Sequence, residues 1–402
     1  MIKQTLFVIQ TLRIKLGLFS LFSLLFFVSN SLTAFELSDK AEISILTCSP
    51  GNDLYSAYGH SAIRVKDTSN EIDVVFNYGT FDFYDPNFYT KFALGTLRYM
   101  LSVENFESFV NAYHYEERGV IEQKLNLTQK QVQSVFDYLD NNYKGENKYY
   151  YYDYFYNNCS SKIRDVFEAS LKADVKFSYK SFSGKESFRV LIDKYHDHQK
   201  WGDFGIDLAL GLPCDKIAEP KDYVFLPDYL LQSFDDSSIQ INGQTERLIS
   251  EKTVLLETPV LADYGDLPSP NLVFWSLFGL TLLLTIWQVK KQKINYAYDV
   301  VLFSLIGLVG ILLFFLWFFT DHRASSQNLN ILWANPLCLV YGILLIFKKI
   351  RLKTFRFFGI NAIILLLLTL SFWFLPQGFN MAFLPIILSL LIRSSFIYKN
   401  NL

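Results

Sequence analysis

An exported α+β domain joined to an all-α membrane domain is what this 402-residue sequence predicts, on three observations. Acid and base are segregated: 23 Lys+Arg face 37 Asp+Glu between residues 35 and 271, a net of −14, while residues 272–402 hold 11 Lys+Arg against only Asp299 and Asp321. The polar block mixes helical and alternating hydrophobic periods, the pattern of an α+β domain. Beyond it, five apolar stretches lie at about 272–289, 300–319, 334–347, 357–375 and 380–397. A charged fraction of 19% and a mean hydropathy of +0.18 fit such a division. The acidic block argues against nucleic acid, which rewards clustered Lys and Arg.

Residues 1–34 open the chain with Lys3, Arg13 and Lys15, then an apolar run from Leu16 to Val28, then Thr33 and Ala34. A basic start, an apolar centre and a small-residue end read as a secretory signal or a retained N-terminal anchor, and either exports the polar block behind it. Residues 35–256 form the exported domain. Within it, Leu127, Val132, Val135, Phe136 and Leu139 recur at helical spacing behind Thr128 as N-cap. The run Tyr149 to Tyr156 holds seven aromatic residues in eight and reads as half-buried strand or packed wall rather than as a binding platform. Residues 257–271, with Pro259, Gly265, Pro268 and Pro270, read as a linker.

In residues 272–402 a stretch of 18–20 residues covers a hydrocarbon core of about 30 Å, the third stretch being marginal on length. With the acidic domain outside, Lys290, Lys291, Lys293, the basic run Lys348 to Arg356, Arg393 and Lys399 all fall inside, and Arg323 alone falls outside. The positive-inside rule thus agrees with an exported domain and an odd number of spans.

Two segments of the exported domain carry chemistry. From Thr47 a Gly- and Pro-marked loop runs into Gly59-His60-Ser61-Ala62-Ile63-Arg64-Val65, whose alternation places His60, Ala62 and Arg64 on one strand face. A turn with Asp67, Ser69 and Asn70 leads to a second strand from Ile72 to Tyr78, its hairpin partner. Downstream, Asn157-Asn158 can cap a helix on which Ile163, Val166, Phe167 and Leu171 recur at 3.6 spacing, setting Cys159 in the first turn. Unpaired N–H groups and the dipole of a helix start favour a thiolate, and a His from a facing strand would complete a nucleophile and base pair. By themselves, one Cys and one His 99 residues apart more often describe a buried small side chain and a core imidazole.

The order of His before Cys, in Gly-His-Ser-Ala-Ile and then Asn-Cys, resembles permuted papain-like enzymes of the NlpC/P60 and lecithin:retinol acyltransferase type. More closely, four segments resemble the Lnb-type bacterial lipoprotein N-acyltransferases: Thr47 to Val65, Phe76 to Phe83, Tyr152 to Asp165, and Thr320 to Leu337. The resemblance implies a permuted papain-like periplasmic domain followed by a five-helix transmembrane domain in the bacterial inner membrane. It implies acyl transfer from a membrane phospholipid, through a Cys thioester, to the α-amino group of the lipidated N-terminal cysteine of a diacylated lipoprotein. Residue by residue, Cys159 matches the nucleophile and His60 the base. Ser161 and Lys162 stand where the usual pattern has Thr and Arg, with Arg164 retained.

On that reading Asn77 orients the imidazole, with Asp82 as second choice, and Asn158 joins the Cys159 N–H in an oxyanion hole. Tyr58, Ser61, Arg164 and His322 are candidates for holding substrate. The alternative is a papain-like Cys hydrolase of cell-wall peptides or lipids at the same site, since one scaffold hosts both chemistries. No cofactor is implied. Cys and His do not cluster at metal-ligand spacing, so no metal is predicted. Cys48 and Cys214 are open to a disulfide or to structural free thiols, and Cys338 lies in a span. Phe81, Phe83, Tyr84, Phe88 and Tyr89 read either as core or as an apolar mouth toward acyl chains.

Overall fold

Seven strands form one antiparallel sheet, built from hairpins whose turns the sequence marks. The computed structural model describes residues 35–259 and 267–400. The signal or anchor assigned to 1–34 and the middle of the assigned linker lie outside the described residues. The strands are β1 (Glu42–Cys48), β2 (His60–Asp67), β3 (Ile72–Thr80), β4 (Arg98–Asn105), β5 (Val120–Leu125), β6 (Tyr149–Tyr151) and β10 (Ile249–Leu256), in the order β10-β5-β1-β2-β3-β4-β6. Three further strands, β7 (Val175–Lys176), β8 (Ser238–Ile241) and β9 (Gln244–Arg247), make a small second sheet.

The β2–β3 hairpin closes as its turn residues dictate. Asp67 accepts from the backbone N–H of Ser69 and from the Asn70 side chain, and pairs across the strands with Ile72. Arg64 is held by Asp73 at 2.7 Å and Glu122 at 3.0 Å, so its charge is fully partnered inside the sheet. Leu46, Cys48, Ala62, Val75, Phe109 and Val120 form the core on that face.

The helices of this part are α1 (Phe88–Leu94), α2 (Phe106–Tyr115), α3 (Gln129–Tyr143), α4 (Cys159–Leu171), α5 (Phe188–Asp193), α6 (Lys200–Ala209) and α7 (Pro227–Asp236). Thr128 caps α3 in a capping box with Gln131. Asn158 caps α4 in the same way: its side chain accepts the Ser161 N–H at 2.9 Å and the Ser161 hydroxyl accepts the Asn158 N–H at 2.8 Å. Ile163, Val166, Phe167 and Leu171 are the buried stripe of α4, which packs on β2 and β3.

The α-helices that follow, among the described residues, are α8 (Pro270–Lys291), α9 (Ala297–Phe318), α10 (Leu337–Leu344), α11 (Lys348–Ser371) and α12 (Phe383–Lys399). Among the described residues, three segments are long and apolar enough to cross a membrane: Pro270–Lys291, Ala297–Phe318 and Thr354–Ser371. The third apolar stretch yields only the eight residues of α10, bounded by Pro336 and by the break before Lys348.

Arg393, expected as an inner-surface cation, is instead fully buried. It is bonded to Asp299 at 2.6 and 2.7 Å and to Thr285 and Gln288, joining α8, α9 and α12. A buried guanidinium needs a carboxylate and further acceptors, and this one has all three.

The sheet part and the helical part meet through α6. Asn328 and Asn330 donate to the backbone carbonyl of Leu208, Asn330 also to that of Asp207, and Asn380 donates to Asp203 and Asp207. The Gly378 N–H donates to Asp215, and Phe204 packs on Phe274 and Phe383.

Candidate active site

The register of the sheet assembles the site. Arg64 pairs with Val75, and Val75 with Glu104, while Asn77 pairs with Ser102. Side chains two residues apart share a face, so Asn77 and Glu104 are diagonal neighbours. The β2–β3 pairing ends at Ile63–Phe76, and beyond it the His60 ring reaches Asn77 of β3. Gly79 has φ +88°, and a Cβ built on it would lie 3.5 Å from the Cys159 Cβ. That contact distance is ordinary, so the left-handed backbone is what calls for glycine at this position. Gly59, just before His60, has φ +80°, and a Cβ on it would sit 2.6 Å from the Cys48 carbonyl oxygen.

The result is a line of four groups. Asn77 Nδ2 donates to Glu104 at 2.7 Å. That bond turns Asn77 Oδ1 toward His60, 3.1 Å from Nε2, so Nε2 carries the proton and donates. Nδ1 is then left free of Asn77, and the ring lies close enough to the Cys159 thiol for each group to shift the other's pKa. Burial raises the Cys159 pKa, but the His60 charge, the His60 hydrogen bond, the Ser61 N–H and the Ser160 hydroxyl outweigh it and hold the thiol below the ordinary cysteine value. Burial lowers the His60 pKa, yet the Cys159 charge and hydrogen bond and the Asn77 contact hold it above the ordinary imidazole value. Both shifts favour a thiolate beside an imidazolium. Of the four cysteines, Cys48, Cys214 and Cys338 are buried free thiols, and Cys159 alone is partly exposed. Burial pushes Cys48 and Cys214 up to about 12, which leaves them inert.

Two adjoining clefts, of about 770 and 410 Å³, share Gly95, Tyr152, Asp153, Asp321, His322 and Arg323; none of the four groups lines either cleft, and Tyr152 is the side chain between them and Gly79. Tyr152, Tyr154 and Tyr156 from the aromatic run line them, so the run is a cleft wall as well as the edge strand β6. Tyr152 lies 3.9 Å from the Cβ position of Gly79 and feels the charge of Cys159.

The other candidates are spread around this line. Ser61 is beside the helix start that carries Cys159, its hydroxyl 3.0 Å from that of Ser160. Tyr58 lines the smaller cleft, with its hydroxyl 2.6 Å from His196 Nε2. His322 lines both clefts and donates to the Phe92 carbonyl at 3.2 Å, docking α1 on the loop after α9.

Three of the expected residues are engaged by other partners. Asn158 is not available as an oxyanion donor: Nδ2 donates to the carbonyls of Tyr154 and Phe225, its N–H to Ser161, and Oδ1 is taken by the cap. Asp82, the second choice for orienting the imidazole, accepts from the Tyr84 N–H in its own turn, and it is Glu104 that accepts from the Asn77 amide. Arg164, five residues and so about 140° around the helix from Cys159, is bound to Asp165 and to the Lys221 carbonyl. Glu104 was missed because its link to Asn77 depends on strand register.

Elsewhere Asp193, Asp203 and Asp207 bring carboxylate oxygens within 4.8 Å of one another. Arg189 partners Asp207, and burial with the Asp207 charge pushes Asp193 up to about 7 and Asp203 up to about 6.

Comparison with known families decides the lineage. Residues 31–194 match the model of the Lnb N-terminal periplasmic domain, and residues 263–401 match that of the Lnb transmembrane domain. The chain belongs to the Lnb family. Both Lnb domains are present in order and together span most of the sequence, and the second makes the chain membrane-embedded. Lnb membership points to a function in lipoprotein N-acylation. No curated protein and no solved structure matches the chain.

Proposed function

We propose that this Lnb-type chain is a lipoprotein N-acyltransferase of the bacterial inner membrane, with Cys159 as nucleophile and the site on the periplasmic side. One observation carries the reading: the Cys159–His60–Asn77–Glu104 line stands beside clefts walled jointly by the aromatic run and by the loop that follows a membrane helix. A soluble cell-wall peptidase has no use for a cleft shared with membrane helices. A helix-start Cys facing a strand His on an antiparallel sheet also supports a permuted papain-like domain.

The chemistry follows from the pair. The Cys159 thiolate attacks an ester carbonyl of a phospholipid, and the Cys159 N–H, which has no intrahelical acceptor at the first helical position, is the donor assigned to the oxyanion. The carbon–oxygen bond breaks, the His60 imidazolium protonates the departing alkoxide, and a thioester remains. The α-amino group of a diacylated lipoprotein attacks the thioester, neutral His60 takes its proton, and the thiolate leaves as the amide forms. Asn77 keeps the ring oriented throughout, and Glu104 keeps the Asn77 amide from turning over.

Replacing Cys159 by Ala in cells that depend on this chain for lipoprotein N-acylation is expected to leave lipoprotein amino termini free by mass spectrometry. N-acylated lipoprotein persisting in that strain refutes the mechanism. Cys159-dependent release of free fatty acid or cleaved muropeptide, with no amide formed, would instead make the site a hydrolase.

A further inference from the structure

The segment from Phe81 to Gly95 takes no part in the chemistry above, yet it is the most apolar exposed feature of the sheet part. Phe83 is 67% exposed, Tyr84 94%, Tyr89 81% and Phe92 51%. Soluble surfaces seldom gather large apolar side chains in this way without a partner. Only Phe88 of the group is buried, and it anchors the others: its ring lies 5.0 Å from that of Phe83, 5.3 Å from Tyr89 and 5.5 Å from Phe81.

Two bonds tie this ledge to the membrane helices. The Asp321 N–H donates to the Leu94 carbonyl at 2.8 Å, and His322 donates to the Phe92 carbonyl. Asp321 comes three residues after the end of α9 at Phe318. The last turns of α9 expose Phe314, Phe315, Phe318 and Phe319, so the ledge continues the apolar surface of a spanning helix at the level where that helix leaves the hydrocarbon. Tyrosine and phenylalanine with nearby polar groups suit that depth. The segment's charges are muted, since Lys91 pairs with Asp85 and Asp82 caps its own turn.

Behind the ledge the rings continue inward. Phe83 meets Phe81 at 4.9 Å, Phe81 meets Tyr99 at 5.4 Å, and Tyr99 stacks on Tyr152 at 4.4 Å, beside Gly79 and Cys159. Phe92, Leu97, Tyr99 and Tyr152 line the cleft of about 410 Å³, within the roughly 300–1,000 Å³ of small-molecule sites.

We infer that residues 81–92 form an aromatic ledge immersed in the membrane interface, and that the cleft behind it takes a fatty-acyl chain from the bilayer and leads it past Tyr99 and Tyr152 to Cys159. The destination of the chain rests on the acyl-transfer reading; the immersion does not.

The test uses the full chain in vesicles of phosphatidylethanolamine and phosphatidylglycerol. With Cys159→Ser to silence the reactive thiol, a nitroxide is placed at Tyr84→Cys, at Tyr89→Cys and, as a water-facing reference, at Tyr115→Cys, whose native side chain is 89% exposed on α2. Ledge labels are expected to collide with oxygen several-fold more, relative to a water-soluble nickel chelate, than the Tyr115 label. Equal nickel access at all three sites overturns the immersion, and so does exclusion of both reagents from the ledge labels, which would signal a protein partner or a second copy. In the chain with Cys159 intact, Phe83→Ser with Tyr89→Ser is expected to slow acyl transfer from vesicle phospholipid about tenfold while iodoacetamide alkylates Cys159 at the unchanged rate. Full transfer activity in that variant overturns the acyl route, and loss of alkylation along with transfer assigns the two side chains to folding rather than to lipid.

Discussion

Asn77→Ala is the most informative single change in the proposed site. It removes the acceptor 3.1 Å from His60 Nε2 and the donor 2.7 Å from Glu104, while leaving the thiol and imidazole in place. Asn77 is buried and interior to β3, so a shape-tolerant replacement keeps the strand pairing. A hydrogen bond to a charged group contributes about 1.5–3 kcal/mol, which predicts a loss of roughly 10- to 150-fold in kcat/KM. The direction with pH comes from the cause. The Asn77 contact raises the His60 pKa, so its loss lowers it, the imidazolium disappears at lower pH, and the alkaline limb of activity moves down. A less charged His60 also lowers the Cys159 pKa less, so the thiolate forms at higher pH. The assay is the pH profile of Cys159 alkylation by iodoacetamide, read by intact mass, which needs no lipid. Glu104→Ala should displace the same profile by a smaller amount, because Glu104 is exposed and water can take its place. A wild-type alkylation profile in Asn77→Ala, with activity within twofold, would refute the orienting role.

Other outcomes rest on the same physics. Gly79→Ala, at φ +88°, is expected to cost about 1–2 kcal/mol of stability through backbone strain, while its added Cβ meets Cys159 at an ordinary 3.5 Å; a thermal shift measures it. Asp299→Ala or Arg393→Met alone leaves a buried charge unpaired and should destabilise the detergent-solubilised chain by about 3–5 kcal/mol, whereas Asp299→Leu combined with Arg393→Met should recover most of it; equal loss in the double variant contradicts the pairing. Asp193→Asn should be stabilising above neutral pH: the folded carboxyl is pushed up to about 7, so ionising it destabilises the fold as pH rises from the ordinary carboxylate range through 7, by an amount on the order of 2–4 kcal/mol. Its thermal shift over wild type should therefore shrink as the pH is lowered toward about 5, and a pH-independent shift would argue against a strained carboxyl.

What could be seen in the sequence was local. Thr128 and Asn158 announce helix starts because an N-cap and its N3 partner lie three residues apart, and the β2–β3 turn is written in Asp67, Ser69 and Asn70. His60, Asn77 and Cys159 could be singled out in the sequence because a strand, its hairpin partner and a helix start each carry one of them, and the fold sets those three elements against one another. Glu104 was not, because its bond to Asn77 spans 27 residues and needs the β3–β4 register. The Asn158 amide was misread for a related reason: sequence shows a cap, but not that the Phe225 carbonyl, 67 residues on, takes an amide hydrogen. Arg393 looked like a topogenic surface cation because its partner Asp299 is 94 residues away on another helix. The aromatic residues at 81–92 could be sorted into one anchor and an exposed ledge only once the loop after α9 was seen to hold them.

Whether acyl chains pass through Cys159 is decided most directly by trapping the intermediate. Purified full-length chain incubated with phospholipid vesicles and no amine acceptor should gain the mass of one acyl chain, map to the peptide carrying Cys159, and lose that mass to neutral hydroxylamine or to added diacylated lipoprotein with formation of the N-acyl product. Amide product formed at the wild-type rate with no acyl group ever found on Cys159, or an adduct that maps to another residue, would contradict the account.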